Sequence, residues 1–297
     1  MFNGTANIIK PPGISSGFFI KILRKILDEK KAGHTGTLDP AAAGVLAVCF
    51  GKATKTIPFI DDSKKSYICE MKLGKETDTL DLDGKTVRED LKWNKLTQAE
   101  VKTEIMKFKG KGKQIPPMYS ALHHQGERLY KLARKGIEVE RKAREIEVYS
   151  LEILQISLPV IRFKVEVSRG CYIRSLVRDI GKSLNSCAVM TFLLRTQTGP
   201  FKIENSVTIE ALEEKGSKIL LSADQPLDLA KYTVKDSSFF RIENGNYLLE
   251  KDFVESELDL ELEEHFLCFS EAERFLAIAK FTTKDDYQIY QPAKVFI

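Results

Sequence analysis

The cleanest alternation of apolar and polar positions falls in "VIRFKVEVS", residues 160–168. Ile161, Phe163, Val165 and Val167 share one face, and Arg162, Lys164, Glu166 and Ser168 share the other. A period of two with one wet face predicts a half-buried antiparallel strand. "SYICEMKL" alternates in the same way, and the continuous apolar run "VLAVCF" predicts a buried strand. "ANIIKPPGISS" reads as a short strand running into a Pro-Gly turn.

The period then changes. Phe18, Phe19, Ile22, Leu23, Ile26 and Leu27 recur at helical spacing opposite Lys21, Arg24, Lys25 and Asp28, so a helix is predicted to open at Ser15 or Ser16. "LTQAEVKTEIMKFKG" opens with the capping box Thr97 and Glu100. "YIRSLVRDIGKSL" turns Ile173, Leu176, Val177 and Ile180 inward. "AGHTGTLDPAAAG" is a predicted loop, and "DLDGKTV" sets an Asp-Gly turn between extended segments. The region of about 110–150 mixes bases, aromatics and turn residues and reads as an extended arm with a short helix inside it. Strands outnumber helices without regular interleaving, so the predicted class is α+β with a mixed or antiparallel sheet.

Charge divides the chain. Residues 231–297 hold 8 Lys and Arg against 14 Asp and Glu, and the first 230 residues hold 38 against 28. With the short strands of "NGNYLLE", "HFLCFS", "RFLAIAKF" and "AKVFI", this implies a large domain over 1–230 and a small one over 231–297. The basic larger part makes nucleic acid a candidate partner. The N-terminal residues lack the layout of a secretory signal, and "AAAGVLAVCFG" is too short to span a bilayer, so a cytoplasmic protein is expected. Five cysteines, an odd number with no C-x-x-C pair, argue for buried thiols rather than disulfides or zinc. The four histidines include no H-E-x-x-H, and no metal site is expected.

Several short stretches invite chemistry. "GISSG" at 13–17 has the G-x-S-x-G spacing of a hydrolase elbow, but only a dozen residues precede it, and a turn with a serine helix cap accounts for it. "TLDLDG" at 79–84 has Thr79 and Asp90 where a calcium loop needs its first ligand and its bidentate Glu, so a hairpin turn is the better reading. "KGKGKQ" has no P-loop spacing. "GHTGTLDPAAAGVL" at 33–46 differs from these. It sets Asp39 among small and apolar residues, where a carboxylate is costly to desolvate without a partner. His34 can present a ring at the loop's tip. The residues alone leave two roles for Asp39 open: a capping residue before a helix with Pro40 at its first position, or a site carboxylate.

"GHTGTLDPAAAGVL" closely resembles the signature loop of the bacterial tRNA pseudouridine synthases of the TruB type. "IIKPPGISS", "KSYICEMKLGKETDTLDLDG", "QIPPMYSALHHQGERLYKLARKG" and "VSRGCYIRSLVRDIG" resemble further segments of that family, in the same order. The resemblance covers residues 7 to about 200 and is thinner beyond. It implies the pseudouridine synthase fold, with a largely antiparallel mixed sheet flanked by helices, an RNA-binding insertion at about 110–150 and a small PUA-like C-terminal domain. It implies conversion of uridine 55 in the TΨC loop of tRNA to pseudouridine, on a flipped-out base.

That reaction conserves atoms and exchanges no electrons with its surroundings, so no cofactor is expected. It needs an anionic group beside the sugar and base, and the resemblance makes Asp39 the nucleophile, attacking either C6 or C1′. Arg174 would be its partner, Tyr67 would stack on the uracil, Leu193 would wall the pocket and Lys10 would support the N-terminal turn. His34 would fill the vacated stack. Lys111, Lys113, Arg128, Lys131, Arg134, Arg141, Lys142 and Arg144 would grip the T arm, beside Tyr119 and Tyr130. A monomer with no membrane contact and no obligate protein partner is expected. Two rival readings are an RNA-binding or tRNA-folding module with catalysis secondary, and a hydrolase using Ser15.

Overall fold

The structure is a computed structural model that describes residues 3–255, 258–285 and 287–297. In chain order its strands are β1 (Gly4–Lys10), β2 (Ala32–His34), β3 (Ala43–Phe50), β4 (Lys64–Leu73), β5 (Lys75–Thr77), β6 (Thr86–Glu89), β7 (Gly110–Gln114), β8 (His123–His124), β9 (Glu127–Arg128), β10 (Arg144–Ser157), β11 (Val160–Ser168), β12 (Ala188–Thr198), β13 (Phe201–Lys202), β14 (Lys231–Val234), β15 (His265–Ser270), β16 (Phe275–Lys284) and β17 (Tyr287–Val295). The helices are α1 (Ser16–Ile26), α2 (Gln98–Met106), α3 (Leu129–Arg134), α4 (Ile173–Ser183), α5 (Ile209–Lys215) and α6 (Phe239–Glu243).

A nine-stranded sheet runs β1-β3-β12-β4-β11-β10-β7, with β2 added to β3 and β13 to β12. Every pairing in it is antiparallel except β3 with β12. The fold is therefore α+β around a mixed, largely antiparallel sheet. One face is covered by helices: Phe19 and Leu23 of α1, Val101 and Ile105 of α2, and Leu176, Val177 and Ile180 of α4 pack with Ile8, Leu46, Met71, Phe163 and Val165 of the strands. Ser15 caps α1 and the Thr97–Glu100 box caps α2, supplying acceptors for first-turn amides that no helical carbonyl can reach.

The opposite face of β3 is also buried. Val45, Ala47 and Cys49 pack with Phe201, Ala223 and Leu227, and with Leu267 and Ile278 of a second sheet, ordered β14-β15-β16-β17. Alternate residues of that second sheet, such as Phe266, Cys268, Ala277 and Ala279, face a separate core with Phe253 and Tyr290. The alternation along β15 and β16 lets one sheet serve two cores. Among the described residues no helix is long and apolar enough to cross a membrane.

Two expectations change here. "AGHTGTLDPAAAG" is not wholly a loop: its first three residues form β2, with His34 opposite Val48, so His34 ends a strand rather than standing at a loop tip. The free edge of β3 at Val48–Phe50 offers backbone partners that outweigh the glycine content. The region 110–150 does not stand off as an arm either. Its ends, β7 and β10, pair with each other as outer strands of the large sheet, and only 115–143 leaves it.

Candidate active site

The site is built where β3 parts from a neighbour. One edge of β3 is paired with β1 from Gly44 to Phe50. The other edge is shared, by β12 at Ala43–Gly44 and by β2 at Val48–Phe50. Residues 35–42 cross the opening between these partners. The fully buried Arg195 of β12 spans it, donating from Nε to Val45 O (2.8 Å), from Nη1 to Thr37 O (3.2 Å) and from Nη2 to Gly36 O (3.1 Å). One planar cation thus binds carbonyls that strand pairing leaves open.

The N-terminal turn clamps the same loop. Lys10 is buried, and its Nζ donates to Pro11 O (2.7 Å), Ile14 O (2.9 Å) and Pro40 O (3.3 Å). Burial lowers its pKa to about 8, with Arg195 adding to the depression and Asp39 opposing it. Ser16 Oγ donates to Leu38 O and accepts from Leu38 N, at 2.7 and 2.9 Å. No helix forms after Asp39; Ala42 N closes a turn on Asp39 O, and β3 starts at Ala43. The capping role is thereby removed. Asp39 is not deeply buried either, since its side chain is 31% exposed. The glycines and small side chains around it leave room for solvent.

Asp39 Oδ2 accepts from Arg174 Nε at 2.9 Å. Arg174, 4% exposed in the first turn of α4, is held at each remaining nitrogen. Nη1 donates to Thr79 O (2.8 Å) and lies 3.6 Å from Asp81 Oδ2, while Nη2 donates to Tyr119 O (2.9 Å). Burial raises the pKa of Asp81, against the opposing pull of Thr79 and Arg174. Gln114 ties the end of β7 to the start of α4 by exchanging two bonds with the Tyr172 backbone, which brings residues 115–121 across the site.

A cavity of about 230 Å³ opens beside this pair, lined by Asp39, Tyr67, Ser120, Tyr172 and Leu193, among others. It is smaller than the roughly 300–1,000 Å³ of drug-sized sites and suits one flat ring. Tyr67 stands on β4 opposite Arg195, and burial pushes its phenol pKa up, so the hydroxyl stays protonated. The pKa of His34 is lowered, by burial first and then by Arg195 and Arg128, and its Nδ1 is buried without a hydrogen-bond partner.

The eight cations of 110–150 are spread out. Lys111 and Lys113 on β7 line a separate groove of about 920 Å³, opposite Glu147 and Glu145 of β10. Arg128, Lys131 and Arg134 belong to β9 and α3, with Arg134 over the Tyr130 ring. Arg141 donates to Pro116 O and Glu138; Lys142 and Arg144 are exposed. Sequence reasoning missed Asp81, which it read as part of a turn, and Arg195. The latter carried a signal: a lone charge closing the mostly apolar run "AVMTFLL".

The model of the TruB family pseudouridylate synthase N-terminal domain matches residues 24–173, and that of the tRNA pseudouridylate synthase B C-terminal domain matches residues 174–228. Their junction falls in the first turn of α4 and marks no break in the fold, because β12 of the second stretch lies between β3 and β4 of the first. A tRNA pseudouridine synthase B of Alkaliphilus oremlandii is 42% identical, over 86% of this chain and 85% of that protein. One of Clostridium kluyveri is 40% identical, over 99% of this chain and 100% of its own length. Among solved structures, the crystal structure of a Cbf5-Nop10-Gar1 complex matches 99% of this chain and 85% of that one, with a TM-score of 0.73 and 26% identity. This chain belongs to the TruB family of pseudouridylate synthases.

Proposed function

We propose that the chain isomerises uridine to pseudouridine in tRNA, at position 55 of the TΨC loop, on a base flipped into the cavity beside Asp39. The family and the relatives' printed names support the reaction. One observation carries the assignment of the site: the 2.9 Å pair of Asp39 and Arg174 at the wall of a base-sized cavity.

The C1′–N1 bond breaks, the uracil turns, C1′ joins C5, and the C5 proton leaves as N1 gains one. Asp39 is the nucleophile. Arg174 fixes the carboxylate in place and balances its charge, and the bonds to Thr79, Asp81 and Tyr119 fix Arg174 in turn. Tyr67 supports the face of the ring, and its hydroxyl assists the late loss of the proton from C5. Leu193 closes the apolar wall. Neutral His34 fills the stack that the uridine vacates. Lys10 holds the loop from behind. The cations of 111–144 contact the T arm, chiefly its phosphates.

The chain is a cytoplasmic monomer in this reading, with a catalytic domain over 1–230. Residues 231–297 form a PUA-like domain whose acidic balance limits its RNA contact. Asp39→Asn tests the site. Incubated with unmodified tRNA, the variant should form no pseudouridine yet bind the tRNA within about threefold of wild type. Modification that persists in the variant overturns the assignment of Asp39.

A further inference from the structure

Lys65 lines the same cavity as Asp39. Its side chain is only 12% exposed, and its Nζ lies 3.1 Å from Asp62 Oδ2. The other oxygen of Asp62 lies 3.1 Å from Nη1 of Arg169, whose side chain is 76% exposed. Asp62 and Arg169 line the neighbouring groove of about 920 Å³. The chain of charges Lys65–Asp62–Arg169 is thus the wall between the two hollows.

The wall is rigid. Arg169 N donates to Ser63 O at 2.7 Å, binding the turn before α4 to the loop that carries Asp62. Cations gather on it. A Cβ on Gly170 would stand 3.9 Å from Arg144 Nη1, so a third cation reaches the same turn. Asp61 and Asp62 stand among these cations and Glu145 and Glu147 line the groove beyond, while the adjacent start of α4 carries no side-chain cap. Burial lowers the pKa of Lys65, against the opposing pull of Asp62.

We infer that Lys65 and Arg169, held by Asp62, seat a backbone phosphate adjoining the extruded uridine. The inference rests on the proposed function and extends it from the base to the strand. A nucleotide drawn into the cavity brings its phosphodiesters to the cavity mouth. A strand continuing into the groove crosses this wall, where Arg169 can grip phosphate oxygens with two parallel N–H donors. The groove beyond offers Tyr149, with Lys64 Nζ 5.0 Å from its ring centre.

The test uses the full chain and a synthetic T-arm stem-loop, with affinity measured across a salt series. Arg169→Ala should bind about tenfold more weakly, and its log–log salt slope should be shallower by about 0.7, the value for one phosphate contact on a single strand. A neutral methylphosphonate at one of the two linkages flanking the target uridine should weaken wild type by a similar factor and leave Arg169→Ala indifferent. Lys65→Met, checked for folding by its thermal transition, should behave like Arg169→Ala. Wild-type affinity and slope in Arg169→Ala, or a wild type indifferent to both neutral linkages, overturns the inference. A wild type that binds this stem-loop but forms no pseudouridine sinks the functional reading instead.

Discussion

Asp81 Oδ2 stands 3.6 Å from Nη1 of Arg174, the residue whose Nε binds the candidate nucleophile. Asp81 therefore acts on Asp39 through the guanidinium. Its burial raises its pKa, and the sign of the consequence follows. A carboxyl raised on folding contributes stability below its unfolded pKa and loses that share as pH rises through the folded value. At neutral pH the ionised Asp81 is a burden on the fold. Asp81→Asn should keep or raise the melting temperature while slowing pseudouridine formation at least tenfold. The wild-type acid limb, read in single turnovers over about pH 4–7, should lie above the ordinary Asp range and flatten in the variant.

Arg195 bridges the opening beside β3 with three bonds to carbonyls. Lysine carries the charge but cannot match the planar fork. Arg195→Lys leaves buried carbonyls without donors, at about 1–3 kcal/mol each when nothing replaces them. Urea unfolding should register a loss of about 2–4 kcal/mol, and modification should fall at least a hundredfold as residues 36–39 lose their support.

Much of this architecture was legible in the chain. The alternation in 160–168 and the apolar spacing in 173–180 depend on one element facing one core, which a sequence pattern records directly. Arg174 was reachable through the resemblance of "VSRGCYIRSLVRDIG" to a segment of the family. Its environment was not reachable. Asp81 lies 93 positions away, and only the pairing that brings residue 81 against residue 190 of β12 sets it under the guanidinium. The same limit explains the 110–150 region. Its charge and turn residues suggested a free arm, but β7 is an edge strand, where lysines are at home as a guard against further pairing.

Gly44 has φ +114°, and a Cβ there would meet Arg195 O at 2.2 Å and Arg195 N at 2.8 Å. Both obstacles are backbone, so neither can swing aside. Gly44→Ala should cost about 2–4 kcal/mol through strain and the forced separation of β3 from β12. Gly17, on α1, has nothing within 4 Å of its would-be Cβ, and Gly17→Ala should hold or gain stability. Equal losses in paired urea titrations would refute the close approach of the two strands.

Lys10 provides the alkaline test. Its pKa is lowered to about 8, so the ammonium that binds Pro40 O and faces Asp39 loses its charge within reach of ordinary assays. Between about pH 8 and 10.5 the unfolded chain holds a proton that the folded chain has released. Stability contributed by this group therefore rises with pH across that window. Activity should move the other way. As the cation behind the loop discharges, the region around Asp39 loses positive potential, and single-turnover rates should fall about tenfold per pH unit above 8. Lys10→Arg keeps its charge throughout, so its rate, whatever its neutral value, should stay level past pH 8. Lys10→Met should lack the limb altogether and run slowly at every pH. A wild-type profile that matches Lys10→Arg up to pH 9 would show that the charge on Lys10 does not act on the site. Its three bonds to carbonyls would then be its whole contribution.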